Sequence, residues 1–165
     1  MLLTVGALNR QNHKRIHLAI EAVSQLNDVS LLICGDGPDV QYFNDLCTQK
    51  LGAQRFNIVK VDFADIPNVY RSVDAFTLPS EDEPFGRVYL EAMASGLPVI
   101  ATDDSMRRTL IGKAGVVCNV ENIGEYAAAI ATTLTTDWAG APIEQAADFS
   151  WESVAERYAD VIESL

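Results

Sequence analysis

Short apolar runs alternate with amphipathic helical segments along the whole chain, and no turn typical of a β-hairpin joins two apolar runs. Parallel strands need long crossover connections, which are usually helices, so this alternation indicates a parallel sheet. We predict an α/β fold: a Rossmann-like, doubly wound parallel sheet of about six strands with helices on both faces. The expected strands are residues 2–6, 29–34, 56–61, 74–78, 97–101 and 115–119.

The segments between these runs carry apolar residues at spacings of three and four, which places them on one face of a helix. The last segment follows Ser150, a residue type that commonly caps helix N-termini. Residues 135–147 are the nearest thing to a linker, and we expect them to lie over the surface. The expected helices are residues 14–26, 40–51, 66–72, 87–95, 104–111, 123–134 and 151–165.

Composition favours one globular domain, residues 1–165, that binds neither nucleic acid nor an anionic membrane. Hydrophobic residues make up 48% of the 165-residue chain and charged residues 21%, as is typical of a folded domain. The 12 basic and 23 acidic residues give a formal net charge of −11, which opposes binding to polyphosphate backbones and anionic lipids. No apolar run approaches the ~20 residues of a membrane-spanning helix, and no signal peptide precedes the first strand, so we expect a soluble cytoplasmic protein.

The cysteine and histidine residues do not form a metal-binding pattern. Cys34, Cys47 and Cys118 are far apart and lie in or near apolar segments, which indicates buried, reduced thiols. His13 and His17 have a spacing that can place two ligands on one helix face, but no third ligand is nearby. We therefore predict that the protein holds no metal ion.

The segment PSEDEPFGRVYLEAMASGLPVIAT, residues 79–102, predicts a strand end, an acidic loop, a helix and a second strand. Glu83 lies in the loop, and Glu91 lies about one turn into the helix that begins after Gly86. The first N–H groups of a helix have no partner within it and lie at the positive end of its dipole, so this terminus suits a phosphate group. Carboxylates accept hydrogen bonds from pairs of sugar hydroxyls. From spacing alone, the two glutamates are equally well explained as solvated charges.

The segment EPFGRVYLEAMASGLPVIAT resembles the signature of the retaining glycosyltransferases of the GT-B fold, the glycosyl transferases group 1 family. Both glutamates of that family's Glu-x7-Glu motif, the Phe-Gly turn, the Glu-Ala-Met-Ala helix and the Gly-Leu-Pro step are in register. In the family the first glutamate faces the donor sugar and the second binds the ribose hydroxyls. The resemblance implies that Glu83 is the catalytic residue, which holds the sugar, and that Glu91 holds the ribose.

The segment VGALNRQNHKRIHLAIEAV resembles the family's first strand, loop and helix, in which an arginine and a lysine bind the donor pyrophosphate. Lys14 matches the lysine, whereas Ala7 occupies the arginine position. The length and charge of this loop make Arg10 and Arg15 the candidates to replace the missing arginine.

Two further segments resemble the family: LLICGDGPD matches its second strand and turn, and DIPNVYRSVDAFTLPS its Pro-x-x-Tyr helix and following strand. By the same comparison, backbone near Val61 and Asp62 flanks the nucleobase. The segment TDDSMRRTLIGKAGVV replaces the family's usual Gly-Gly turn, and we expect its Arg107 and Arg108 to face solvent. Besides Glu83, the resemblance implies that the donor contacts Gly6, Lys14, Val61, Phe85, Gly86, Arg87, Val88 and Glu91.

The resemblance covers essentially the whole chain but only half of a GT-B enzyme, whose acceptor site lies on an N-terminal domain. It implies the donor-binding domain of a hexosyltransferase of glycan biosynthesis that uses a UDP-sugar or GDP-sugar, needs no cofactor and shows negligible transfer alone. The face that the N-terminal domain would cover is expected to favour homo-oligomers. Two alternatives stay open: a non-catalytic nucleotide-sugar-binding subunit or sensor, and a starch-synthase-like or phosphorylase-like enzyme that prefers ADP-glucose or phosphate.

Overall fold

The computed structural model describes residues 1–164 and confirms the predicted parallel sheet. Its strands are β1 (Leu2–Val5), β2 (Leu31–Cys34), β3 (Phe56–Val59), β4 (Ala75–Leu78), β5 (Val99–Thr102) and β6 (Gly115–Cys118). All neighbours pair in parallel, in the order β3-β2-β1-β4-β5-β6. The chain therefore builds one half of the sheet outwards from β1 and the other half outwards from β4.

Each predicted helix is present, and its described ends lie within two residues of the expected bounds. A short 3-10 turn, Phe63–Asp65, precedes the third helix. The prediction for the final helix extended to Leu165, which lies outside the described residues. The helices are α1 (Ile16–Ser24), α2 (Val40–Leu51), α3 (Ile66–Tyr70), α4 (Arg87–Ala94), α5 (Ser105–Ile111), α6 (Ile123–Thr135), α7 (Ala141–Ala147) and α8 (Trp151–Glu163).

Two layers of helices cover the two faces of the sheet, and each layer encloses its own apolar core. Successive side chains of a strand point to opposite faces, so Leu2 and Ala75 lie in one core while Leu3 and Phe76 lie in the other. Helices α1, α2 and α6 contribute to the first core, and α3, α4, α5 and α7 to the second. Strands that are buried on both faces read as continuous apolar runs, which explains why the sequence marks them clearly.

Residues 135–147 do not form a surface linker, so that expectation is wrong. Helix α7 begins directly after Gly140, whose φ of 85° favours glycine. Its first turn buries Pro142, and the helix packs against α4. Nε2 of Gln145 donates to the carbonyl oxygen of Leu110 at 3.2 Å, near the end of α5. The segment thus contributes a packed element to the second helical layer.

The three cysteines are free and buried, as predicted. Burial raises the pKa of the Cys47 thiol to about 12 and, with nearby carboxylates, that of Cys118 to about 12. Within residues 1–164, no group of three or more His, Cys, Asp or Glu side chains is arranged to hold a metal ion. Over the same residues, every helix is too short or too polar to span a bilayer.

Candidate active site at the carboxyl ends of β1 and β4

The candidate site lies in the loops that follow β1 and β4, the two central strands. In a doubly wound sheet, ligands bind beyond the carboxyl ends of the strands, where neighbouring strands lead to opposite halves of the sheet. The backbone N–H of Glu81, after β4, donates to the carbonyl oxygen of His13, after β1, at 2.8 Å. This hydrogen bond joins the loops that carry Lys14 and Glu83.

Lys14 and Glu83 contact each other directly. Nζ of Lys14 donates to Oε2 of Glu83 at 3.1 Å, and the two side chains are only 18% and 16% exposed. Nε2 of His13 lies 3.7 Å from the same carboxylate oxygen. The lysine predicted to bind phosphate is therefore the partner of the glutamate predicted to hold the sugar. A phosphate group at Lys14 would compete with this carboxylate for the ammonium group.

Gly6, at the end of β1, leaves room for the Lys14 side chain to cross it. A Cβ at residue 6 would lie 2.6 Å from Cδ of Lys14. Gly6 and Val61 also line a cavity of about 260 Å³ at the carboxyl ends of β1, β2 and β3. Lys60 and Asp36 also line this cavity and form an ion pair at 2.6 Å. The hydrogen bond from Lys60 lowers the pKa of the Asp36 carboxyl. The structure thus brings together the residues predicted to contact the nucleobase and the phosphates.

Helix α4 begins beside Glu83, and no side chain in the described part of the chain caps its N-terminus. The N-cap residue, Gly86, has a φ of 77°, and a Cβ there would lie 2.4 Å from the Tyr89 ring and 3.3 Å from Cγ of Glu83. Arg87 and Val88 follow in the first turn, where backbone N–H groups lack acceptors within the helix. This terminus therefore presents hydrogen-bond donors next to the Lys14–Glu83 pair.

Glu91 is exposed on α4 and faces the end of α3. The hydroxyl of Tyr70, the last residue of α3, donates to Oε2 of Glu91 at 3.1 Å. Tyr70 is only 1% exposed, and burial together with the neighbouring Glu91 raises the pKa of its hydroxyl. The tyrosine is therefore a proton donor to the carboxylate at ordinary pH.

An apolar groove of about 700 Å³ lies between α4 and α8, next to Glu91. Phe85 and Arg87 line its α4 side, and Phe85 packs edge-on against Phe149, with 6.5 Å between the ring centroids. Trp151, in α8, also lines it and is 87% exposed. Three predicted donor-contacting residues, Phe85, Arg87 and Glu91, thus line this groove.

The two arginines considered as replacements at the phosphate site are both paired with other groups. Arg10 forms an ion pair with Asp39 at 3.2 Å, and its guanidinium lies 4.7 Å from the centroid of the Tyr42 ring in α2. Arg15 donates from Nε to the Pro79 carbonyl oxygen at 2.9 Å. Of the two arginines, Arg15 is thus the one attached to the β4 loop.

Arg107 does not face solvent, so the expectation for this residue is wrong, whereas Arg108 is 65% exposed as predicted. Arg107 is 3% exposed, pairs with Asp104, and directs Nε to the Tyr89 hydroxyl at 3.3 Å. That hydroxyl donates to the Leu78 carbonyl oxygen at 2.9 Å. Burial raises the pKa of Tyr89 to about 12, although Arg107 acts in the opposite direction. The network ties the start of α5 and the first turn of α4 to the end of β4.

Three contacts that shape the site were not predicted from the sequence. They join His13 with Glu83, Tyr70 with Glu91, and Arg15 with Pro79. The Pro-x-x-Tyr pattern was the one available signal for Tyr70, and it gave no partner for the hydroxyl. Each contact joins residues more than twenty positions apart, so its formation depends on how the elements pack.

The sequence profile of "Glycosyl transferases group 1" matches residues 1–150. The chain belongs to this family. This glycosyl transferases group 1 chain is 32% identical over 174 residues to "Glycogen synthase" of Mycobacterium tuberculosis. The alignment covers 97% of this chain and 41% of that protein.

Another relative of this glycosyl transferases group 1 chain is the "GDP-mannose-dependent alpha-mannosyltransferase" of Corynebacterium glutamicum. It is 28% identical over 174 residues, which cover 96% of this chain and 40% of the relative. The Anabaena protein HepE, solved in complex with UDP, superposes with a TM-score of 0.82 at 25% identity, over 99% of this chain and 49% of that one. The fold is that of one half of a GT-B protein, and the chain spans less than half the length of these relatives.

Proposed function

We propose that this chain binds the nucleotide-sugar donor of a retaining hexosyltransferase at the carboxyl ends of β1 and β4. The observation that carries the proposal is the convergence of two charged groups and a helix terminus. Lys14 lies 3.1 Å from Glu83, and the position of a Cβ on Gly86 lies 3.3 Å from Glu83 Cγ. Phosphate, sugar and backbone donors can meet at one point there.

The donor diphosphate accepts hydrogen bonds from Nζ of Lys14 and from the first-turn N–H groups of α4, at Arg87 and Val88. When the bond from the anomeric carbon to the leaving phosphate oxygen breaks, negative charge grows on the diphosphate. Donors that are already in position stabilise that charge more strongly than they stabilise the intact donor. Lys14 and the helix terminus thus stabilise the negative charge of the leaving diphosphate, and the proposal includes no metal or other cofactor.

Glu83 and Glu91 bind the two sugar rings of the donor. Once the diphosphate occupies Lys14, Oε2 of Glu83 is released to accept from hydroxyls of the hexose, which makes Glu83 the catalytic contact. Glu91 accepts from the ribose hydroxyls, and the base enters the cavity lined by Gly6 and Val61. The family resemblance supports transfer with retention of the anomeric configuration.

In this proposal the nucleotide of the donor is UDP or GDP. HepE was solved with UDP, and the Corynebacterium glutamicum relative is named for GDP-mannose, so relatives of both kinds support the two candidates. The family resemblance supports an acceptor site on an N-terminal domain, separate from the donor site proposed here. We expect the 165-residue chain to bind its donor with negligible transfer.

Calorimetric titration with UDP, GDP and ADP, and with their glucose and mannose conjugates, tests the donor site. One nucleotide should bind, and Lys14→Ala and Glu91→Ala should each weaken its binding by about tenfold or more, since each removes a charged hydrogen-bonding partner. Lys50→Ala is the matched control, because Lys50 pairs with Glu21 at 2.8 Å on α2 and α1, away from the strand ends. Failure of every nucleotide to bind would contradict the proposal.

Transfer is measured separately, with the pure chain and the donor that binds. Robust turnover by the chain alone would refute the proposal that the donor and acceptor sites lie on two separate domains. A non-catalytic nucleotide-sugar-binding subunit is the second candidate, because the chain covers only 40–41% of the two curated relatives named above. If adding an acceptor domain from a relative restores no transfer although the donor binds, this second candidate is favoured.

A further inference from the structure

The Tyr70 hydroxyl is the only described side-chain donor to the Glu91 carboxylate. The phenol lies 3.1 Å from Oε2 of Glu91 and 3.4 Å from the carbonyl oxygen of Val88. A phenol has one proton to donate, and the carboxylate is both the closer and the stronger acceptor. The contact therefore fixes one oxygen of an otherwise exposed glutamate side chain.

The tyrosine itself is held rigidly. Its ring is fully packed, with 1% of the residue exposed, and lies 5.9 Å from the Phe76 ring, measured between centroids. Helix α3 ends at Tyr70 and packs against α4. Tight packing restricts the rotamers of a buried phenol, so it sets the direction of the carboxylate more narrowly than water would.

We propose that Tyr70 is a positioning residue that orients Glu91 so that its other oxygen, Oε1, can bind a ribose hydroxyl of the nucleotide. This inference rests on the proposed role of Glu91 and adds the group that sets its geometry. Tyr70 does not touch the nucleotide. It acts by reducing the number of Glu91 conformations that must be lost on binding.

The test compares each nucleotide with an analogue that lacks the ribose hydroxyls. UDP, GDP and their 2′,3′-dideoxy forms are titrated into the unsubstituted chain and into Tyr70→Phe. The unsubstituted chain should prefer the hydroxylated form of its nucleotide by about tenfold or more, as expected for hydrogen bonds to a charged group. Tyr70→Phe should reduce that preference by about threefold to tenfold while leaving the affinity for the dideoxy form unchanged.

Two variants calibrate the result. Glu91→Gln should reduce the preference at least as much as Tyr70→Phe does, because it changes the ribose ligand itself. Tyr126→Phe is the matched control: Tyr126 is also buried, and its hydroxyl contacts Thr77 at 2.6 Å in the other core, away from Glu91. It should leave the preference unchanged, even if thermal unfolding shows that both Phe variants lose stability.

The outcomes separate this inference from the proposed function. If Tyr70→Phe weakens the hydroxylated and dideoxy forms equally, or weakens neither, Tyr70 is a structural residue and the inference is wrong while the donor site stands. If the unsubstituted chain binds neither nucleotide, both the proposed function and this inference are wrong. If it binds both forms of one nucleotide equally, the ribose role of Glu91 fails, and with it the role of Tyr70.

Discussion

The contact between Lys14 and Glu83 sets two predicted functions against each other within one pair of side chains. The two groups are mostly shielded from solvent, at 18% and 16% exposure, and lie 3.1 Å apart. A diphosphate must displace the carboxylate from the ammonium group and must also approach a negative charge. At the proposed donor site, Glu83 would therefore oppose the binding of a nucleoside diphosphate and favour that of a nucleotide sugar, whose hydroxyls give its oxygens new donors.

Replacing Glu83 by glutamine should therefore tighten the binding of UDP or GDP. The change removes the competing charge from Lys14, and a partly exposed pair of this kind is worth up to about 1 kcal/mol, which corresponds to about two- to fivefold in affinity. The affinity gained from an attached hexose should fall in the same variant. Isothermal titration with the free and the sugar-linked nucleotide measures both effects.

Glu81→Gln is the control for this experiment, because Glu81 lies in the same acidic loop, is exposed and changes the net charge equally. It should change neither affinity by more than about twofold, as is usual for an exposed charge. Weaker binding of the free nucleotide to Glu83→Gln would show that Glu83 does not compete for Lys14.

At the scale of the element, helix α4 depends on the backbone conformation at its start. Gly86→Ala should destabilise the fold by about 1 kcal/mol or more through its left-handed φ, and further because the new Cβ would lie 2.4 Å from the Tyr89 ring. Gly140→Ala is the matched control, since Gly140 is also a helix N-cap in the left-handed region, with a φ of 85°, and nothing lies within 4 Å of the added atom. Urea unfolding should show the larger loss for Gly86→Ala; equal losses would mean that the Tyr89 contact relaxes freely.

Helix α5 offers a second comparison between adjacent aspartates. Asp104 caps the helix through the Arg107 N–H at 2.8 Å and pairs with the buried Arg107 guanidinium. Asp104→Ala should cost at least about 2 kcal/mol of unfolding free energy, because it removes a cap and leaves a buried cation without its carboxylate.

Asp103→Ala is the control for α5, because Asp103 pairs with Arg108, which is 65% exposed. That pair should contribute at most about 1 kcal/mol. Chemical denaturation of the two variants side by side gives the comparison, and similar losses would argue that Arg107 finds solvent or another acceptor when Asp104 is removed.

The elements that were predicted correctly are those whose pattern is independent of distant partners. The six strands are short apolar runs, of which the four inner ones, β1, β2, β4 and β5, are largely buried, and α1, α2 and α6 are long enough to show helical periodicity. Helix α7 was missed because seven residues, of which only Pro142 is buried, leave too little pattern to read. The burial of Arg107 and the partner of Tyr70 depend on how α5 packs beside α4 and α3 beside α4, which no local pattern specifies.

At the scale of the whole molecule, α8 differs from the other long helices because none of its described residues is buried. Trp151, Tyr158, Val161 and Ile162 are 87%, 68%, 59% and 68% exposed. Together with Phe85 they make an apolar surface of the kind that soluble monomers seldom expose. The expectation that the chain self-associates can be tested on this surface.

We expect the double variant Trp151→Ser, Val161→Ser to lower self-association in light scattering and to change the unfolding free energy by less than about 0.5 kcal/mol, as is usual for exposed sites. Glu152→Ser, on the same helix, is the control and should leave the scattering unchanged. Self-association that persists in the double variant would assign the contact to another surface. A monomeric parent chain would remove the expectation altogether.

Arg15 has a bearing on how such a protein can be re-engineered. From one guanidinium it binds the Pro79 carbonyl oxygen at 2.9 Å and Glu121 at 2.8 Å, although its backbone has a φ of 48°. Its side chain therefore links the segments that follow β1, β4 and β6 through hydrogen bonds. A single loop transplanted from a relative would lack its contacts with the other two segments. An attempt to exchange donor preference should therefore replace all three segments together.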